Sequence, residues 1–269
     1  MKGLLRYIYR NLLTARLQRS IDNYCYFSGI HRSIAIFKHL TMAKIDGLNE
    51  KKILILSPHP DDDIIGCGGT LQKYRQKGAE ITCLYMTDGR KGNPAYNEDG
   101  LAIKRKEEAR RAAEVIGINR LIFLDNRDGE LTASSLNITE LIRILHEIKP
   151  DAVFLPFLLD THRDHMATNR IFLGAIKSMP PFMCYAFGIW TPLPAFNLSV
   201  DITPYVDIKR KAMEEHRSQT EWFDLTGASF GLSKYYSIMS NGRDGKGWAE
   251  VYIVCPSDEY ARLGKAIGW

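Results

Sequence analysis

Long apolar runs are missing from this chain. No window of about 18 residues is apolar enough to cross a bilayer, so a membrane-spanning helix is not expected. A secretory leader is not expected either, because Arg6 and Arg10 interrupt Leu4, Leu5, Ile8, Leu12 and Leu13 and no small-residue cleavage site follows. These absences point to a cytoplasmic protein. Cysteine is scarce as well. Cys25, Cys67, Cys83, Cys184 and Cys255 are odd in number and never spaced C-x-x-C, which disfavours a cysteine zinc site and fits reduced thiols. Cys83, within Ile81-Thr82-Cys83-Leu84-Tyr85, and Cys255, after Val251-Tyr252-Ile253-Val254, read as small buried hydrophobes.

Acidic residues are absent before Asp22. The formal charge of +5 is therefore uneven: residues 1–46 hold eight Lys and Arg against two Asp, and the remainder of the chain carries 28 against 29. A body that is not basic argues against nucleic acid as the partner. In the N-terminal stretch Leu5, Ile8 and Leu12 recur at helical spacing, while Lys2, Arg6 and Arg10 occupy another face. A basic amphipathic helix of this kind suits an anionic membrane surface, which would place residues 1–20 peripherally on the inner face of the membrane. It equally suits docking on its own body or on a partner subunit. The polar segment 47–52 reads as the hinge into the main domain, so the chain divides into an extension over 1–46 and a catalytic domain over 47–269.

What is present from residue 51 onward is a series of short apolar strands alternating with amphipathic helices. Strands are expected at Ile53–Ser57, Glu80–Met86, Leu121–Leu124, Ala152–Leu155 and Glu250–Cys255. Helices are expected near 65–77, 102–116 and 135–148. The alternation predicts an α/β fold with a mostly parallel sheet and helices on both faces. A chain of 269 residues, 45% hydrophobic, is long enough to bury such a core. Ligands of these sheets bind beyond the C-terminal ends of the strands.

Two polar clusters sit at such strand ends. The first is Ser57-Pro58-His59-Pro60-Asp61-Asp62-Asp63, followed by Gly66, Gly68 and Gly69, which permit close packing at the start of a helix. A histidine crowded against three consecutive carboxylates repels itself unless a cation or protons relieve it. A divalent metal does so, with one of Asp61 and Asp62 binding it and the other facing its water as a base. Two other readings compete. The aspartates also suit an acidic helix N-cap, and Asp61 with Asp63 has the D-x-D spacing of a magnesium-dependent phosphohydrolase. The second cluster, Asp160-Thr161-His162-Arg163-Asp164-His165, adds imidazoles, and these favour zinc or another divalent transition metal.

These segments together resemble the LmbE-like, or PIG-L-type, N-acetylglucosaminyl de-N-acetylases. The likeness runs through P-H-P-D-D at Pro58–Asp62, the Thr87-Asp88-Gly89 loop, the Arg105, Glu108 and Ala109 helix, the Asp128-Gly129-Glu130-Leu131 turn, D-x-H-x-D-H at Asp160–His165 and His216-Arg217-Ser218-Gln219. The resemblance implies a three-layer Rossmann-like domain that removes an acetyl group from an N-acetylhexosamine. It implies zinc held by His59, Asp62 and His165, Asp61 as general base, His162 at the developing oxyanion or leaving amine, Asp164 orienting His162, and Arg105 at the substrate. Asp63 departs from the family, which commonly has Glu there, and this leaves its supporting contacts open. A sugar-binding protein without catalysis is the alternative from another class. The charged segment Lys209–Gln219 reads either as a solvated helix or as support for the site. Trp190–Phe196 reads as a substrate wall or as an ordinary proline-rich loop.

Overall fold

A computed structural model describes residues 48–240 and 246–269. The N-terminal extension, with its expected basic helix and Cys25, lies outside the described residues. Residues 48–261 belong to one compact unit, and Arg262–Trp269 are grouped apart from it.

The first strand, β1 (Lys52–Ser57), is buried at every residue after Lys52, and β2 (Glu80–Thr87) at every residue after Glu80. Continuous burial rather than alternation means that both faces of the sheet are covered. β1 pairs in parallel with β2 on one side, Ile53 opposite Ile81, and with β4 (Ala152–Pro156) on the other, Ile53 opposite Ala152. The remaining strands are β3 (Arg120–Asn126), β5 (Met183–Phe187), β6 (Leu198–Asp201) and β7 (Ala249–Pro256). Their order is β3-β2-β1-β4-β5-β7-β6, with β7 antiparallel to both of its neighbours.

Parallel neighbours require crossovers, and four helices supply them: α1 (Asp62–Gln76), α2 (Glu98–Ile116), α3 (Ser135–Ile148) and α4 (Arg163–Ala175). α1 and α2 pack with each other and with α5 (Val206–Glu215), while α3 and α4 pack together. Short α6 (Arg217–Thr220), then α7 (Leu225–Met239) and α8 (Ser257–Ala266), complete the described helices. Helix ends follow local chemistry. The Asn97 side chain caps α2 by accepting from Gly100 N–H, and Gly117 ends that helix in the left-handed conformation at φ +80°. The expected strands and first three helices all form. Those not anticipated are β5, β6, α4, α7 and α8.

The glycines of α1 serve close packing as expected. A Cβ on Gly69 would lie 2.7 Å from Ile202, and one on Gly66 would collide with the Phe187 ring. The solvated-helix reading fails at Lys209, which is fully buried. Its ammonium pairs with Glu250 at 2.7 Å and donates to the Ile65 carbonyl at 2.8 Å. Glu250 in turn accepts from the backbone N–H groups of Gly69 and Thr70. Buried charge on α5 and β7 thereby holds the middle of α1, the helix that carries the first polar cluster.

Candidate metal centre

Strand order reverses between β1 and β4, because the chain runs β1-β2-β3 to one side and returns through β4-β5 to the other. Loops leaving the C-terminal ends of those two strands diverge there and leave a crevice. The loop after β1 carries His59 to Asp62, and the loop after β4 carries Asp160 to His165. The two clusters therefore meet in space although about a hundred residues separate them.

Three side-chain atoms converge. His59 Nδ1 lies 3.0 Å from Asp62 Oδ2, His165 Nε2 lies 3.1 Å from the same oxygen, and the two nitrogens are 3.3 Å apart. All three residues are buried. The other nitrogen of each imidazole meets a carboxylate: His59 Nε2 is 3.2 Å from Asp164 and 3.4 Å from Asp128, and His165 Nδ1 is 3.3 Å from Asp160. This donor set could hold a divalent transition metal, with a carboxylate beside the outer nitrogen of each imidazole. Electrostatics agree. Burial pulls both imidazoles down, yet the carboxylates outweigh it and hold His59 well above its usual range and His165 at about 9. Burial also opposes ionisation of Asp62, but His165 and His59 keep it ionised. A pocket that attracts protons this strongly attracts a cation in their place.

Asp61 stands immediately before α1, and its side chain makes no capping hydrogen bond. The acidic N-cap reading therefore does not account for it. Its Oδ2 lies 2.8 Å from Arg105 Nη2, and Arg105 also donates to the carbonyls of Pro60 and Gly89. Arg105 is buried and reaches from α2 across to the loop after β1. Gly89 is required there: its φ is +66°, and a Cβ would sit 2.5 Å from Arg105 Nη1. Burial raises the Asp61 carboxyl to about 6, with the Arg105 charge acting the other way. That value suits a proton acceptor working near neutrality.

Asp63 points elsewhere. It accepts from the Tyr85 hydroxyl at 3.0 Å, and its own backbone N–H donates to the Ser57 hydroxyl at 3.1 Å. Burial pushes it up to about 7. These contacts answer the question its shortened side chain raised, and they deny Asp61 and Asp63 the shared cation that a D-x-D phosphohydrolase needs.

His162 caps α4. Its Nδ1 accepts the Asp164 backbone N–H at 3.3 Å, and its ring stacks on Trp190 with centroids 5.8 Å apart. The Asp164 carboxylate, expected to orient His162, instead meets His59 and accepts from the backbone N–H of Gly129 at 2.6 Å. Asp160 joins the loops: it accepts from the backbone N–H groups of His162, Ile189 and Trp190. The sequence alone assigns no role to Asp128, Asp160 or Glu108. Glu108 accepts from both the N–H and the hydroxyl of Ser218, which ties the Arg105 helix to the His216–Gln219 segment. Their motifs are visible, but nothing local says which partner each carboxylate meets. The spelling G-x-S-x-G does occur, at Gly227 to Gly231, but inside α7. A nucleophile elbow needs a strand-to-helix turn, and the Ser229 hydroxyl is directed at the Ile65 carbonyl.

Comparison with known proteins decides the family. Residues 54–176 match the model of the GlcNAc-PI de-N-acetylase family, PIG-L. The uncharacterized deacetylase YaiS of Escherichia coli (strain K12) is 30% identical, the match covering 67% of this chain and 99% of YaiS. The chain belongs to the PIG-L family, the LmbE-like deacetylases. Among other PIG-L-type relatives, the diacetylchitobiose deacetylase of Thermococcus kodakarensis is 29% identical over 73% of this chain and 82% of its own length. The N,N'-diacetylchitobiose deacetylase of Pyrococcus horikoshii superposes with a TM-score of 0.69 at 28% identity, covering 79% of this chain and 86% of that one. The matched segment of this chain spans both clusters of the candidate metal centre.

Proposed function

We propose that this chain is a zinc-dependent hydrolase that removes the acetyl group from an N-acetylhexosamine unit of its substrate. The observation that carries the reading is the convergence of His59 Nδ1, Asp62 Oδ2 and His165 Nε2 within 3.0–3.3 Å, each imidazole backed by a carboxylate. Those three residues would hold the ion. When bound, zinc with three protein ligands supplies a water acidified to a pKa of about 7 and polarisation of the amide carbonyl.

The chain's own groups manage the protons. Arg105 occupies Asp61 Oδ2, which leaves Oδ1 to take the proton of the attacking water. His162 accepts at Nδ1, so its proton resides on Nε2, and Nε2–H is the donor left for the oxyanion or the departing amine. Burial and the neighbouring imidazoles hold His162 below its ordinary value, so it enters the reaction neutral and acts through a hydrogen bond rather than a full charge. The Asp164 carboxylate acts through His59. Arg105 acts on the substrate through the oxygen it fixes on Asp61. The names of the chitobiose deacetylases support an N-acetylated sugar as the substrate here. Cytoplasmic placement, with peripheral membrane association through residues 1–20, completes the reading.

Metal replacement tests it. Protein stripped with a chelator should lose acetate release from N-acetylglucosaminides, recover it with zinc and fail to recover it with magnesium. Recovery with magnesium, or phosphatase activity in its place, would sink the assignment.

A further inference from the structure

The candidate metal centre opens into a cavity of about 820 Å³ whose lining also includes Gly92, Arg105 and Gln219. Gln219, in α6, is only 4% exposed, and no step of the hydrolysis uses it. Proton bookkeeping fixes which end of its amide is free. The Glu108 carboxylate accepts the Ser218 backbone N–H at 2.9 Å through one oxygen and the Ser218 hydroxyl at 2.7 Å through the other. With its single proton committed to Glu108, the Ser218 hydroxyl oxygen can still accept a hydrogen bond but cannot donate another. Gln219 Nε2 therefore donates to it, at 3.0 Å, and Oε1 is left as the outward acceptor. Asn93 Nδ2 holds the same segment from another side by donating to the Ser218 carbonyl at 2.7 Å. Among the described residues nothing donates to Gln219 Oε1.

The surroundings of that oxygen select its ligand. A Cβ on Gly92 would lie 2.4 Å from Gln219 Oε1 and 2.6 Å from Arg105 Nη1, so the acceptor and the guanidinium both close on the bare backbone of one glycine. A carboxylate or phosphate has no proton to give Oε1, and a hydrocarbon would leave it unpaired and stripped of water. An ammonium donor would meet the positive charge of Arg105. A neutral donor remains, and the sugar supplies two kinds: its acetamide N–H, which belongs at the metal centre, and its hydroxyls. We propose that Gln219 Oε1 accepts a hydrogen bond from one hydroxyl of the N-acetylated sugar, which makes Gln219 a specificity-determining residue and Gly92 the position that admits it. The assignment rests on the deacetylase reading of the metal centre.

The test sets Gln219→Met, which keeps the length of the side chain but not its acceptor, against methyl N-acetylglucosaminide and a set of monodeoxy forms, each lacking one free hydroxyl. The full, zinc-loaded chain is used throughout. With the wild type, one monodeoxy form should lose about fivefold to tenfold in kcat/KM, chiefly through KM, because it cannot make the hydrogen bond. With Gln219→Met the same form should lose little or nothing, while the other forms lose as much as they do with the wild type. Equal losses in the two proteins for every monodeoxy form would overturn the proposal. Gln219→Asn, which keeps the amide but draws it back by one methylene, takes the place of Gln219→Met if that variant does not fold, with the same two outcomes. Should the wild type release no acetate from any of these sugars, the deacetylase reading fails alone if calorimetry still shows the parent glycoside bound and Gln219→Met weakening it. Binding that Gln219→Met leaves unchanged, or no binding at all, overturns the hydroxyl subsite as well.

Discussion

Asp61 and Asp62 are neighbours in sequence, yet their environments divide their work. Asp62 faces two imidazoles and stays ionised, while Asp61 is buried beside Arg105 and rises to about 6. Replacing Asp61 with Asn keeps the shape and an acceptor for Arg105 but removes the proposed base. Acetate release should fall by about 10²–10⁴-fold while zinc content, read by elemental analysis, stays near that of the wild type. Undiminished turnover would refute the role. A further buried imidazole, His216, has a different character from those of the metal centre. Neither of its ring nitrogens has a hydrogen-bond partner among the described residues, and burial, then Arg105 and Arg111, depress it to about 3. The unfolded chain takes up this proton near pH 6.5 and the folded chain only near 3, so stability is lost as pH falls through that window, by up to about 1.4 kcal/mol per pH unit. Urea titrations of His216→Leu should show a flatter decline between pH 6.5 and 5 than the wild type. Parallel slopes would show that His216 is not the cause.

Elements position these residues through a few buried polar links. The expected strands are readable because strands covered on both faces are continuous apolar runs, as Ile53–Leu56 and Val153–Leu155 are. α4 is not, since its first turn is spelled by the polar cluster Arg163-Asp164-His165 and its apolar face is defined by packing against α3 and β4. β5 and β6 escape notice for a related reason: at five and four residues they are too short for a clear period, and pairing with β4 and β7 defines them. The Lys209–Glu250 pair is the clearest tie between elements. Lys209→Met strands a buried carboxylate and should cost about 3–5 kcal/mol in urea unfolding. Adding Glu250→Gln should restore part of that loss, because an amide oxygen still accepts from α1. An additive double variant would show that the two do not act as a pair.

For the whole molecule, the uneven charge is the feature with a consequence outside the catalytic unit. We propose that the basic charge of residues 1–20 holds the protein at an anionic membrane. Liposomes containing anionic lipid should retain the full chain and release a truncated chain that begins at Asp46, with retention declining as salt is raised. Equal retention of both would end that idea. Composition and motif order by themselves determined the fold class and the family and pointed to the residues of the candidate metal centre, because strand periodicity and the donor types His and Asp are local properties of the chain. Tertiary structure alone decided which atoms converge. The crevice forms where β1 and β4 part, and only there does Asp164 turn to His59 rather than His162, Asp63 turn away to Tyr85, and Arg105 reach Asp61. These partners come from distant segments, and their choice depends on the register and packing of the sheet, which no local spacing encodes.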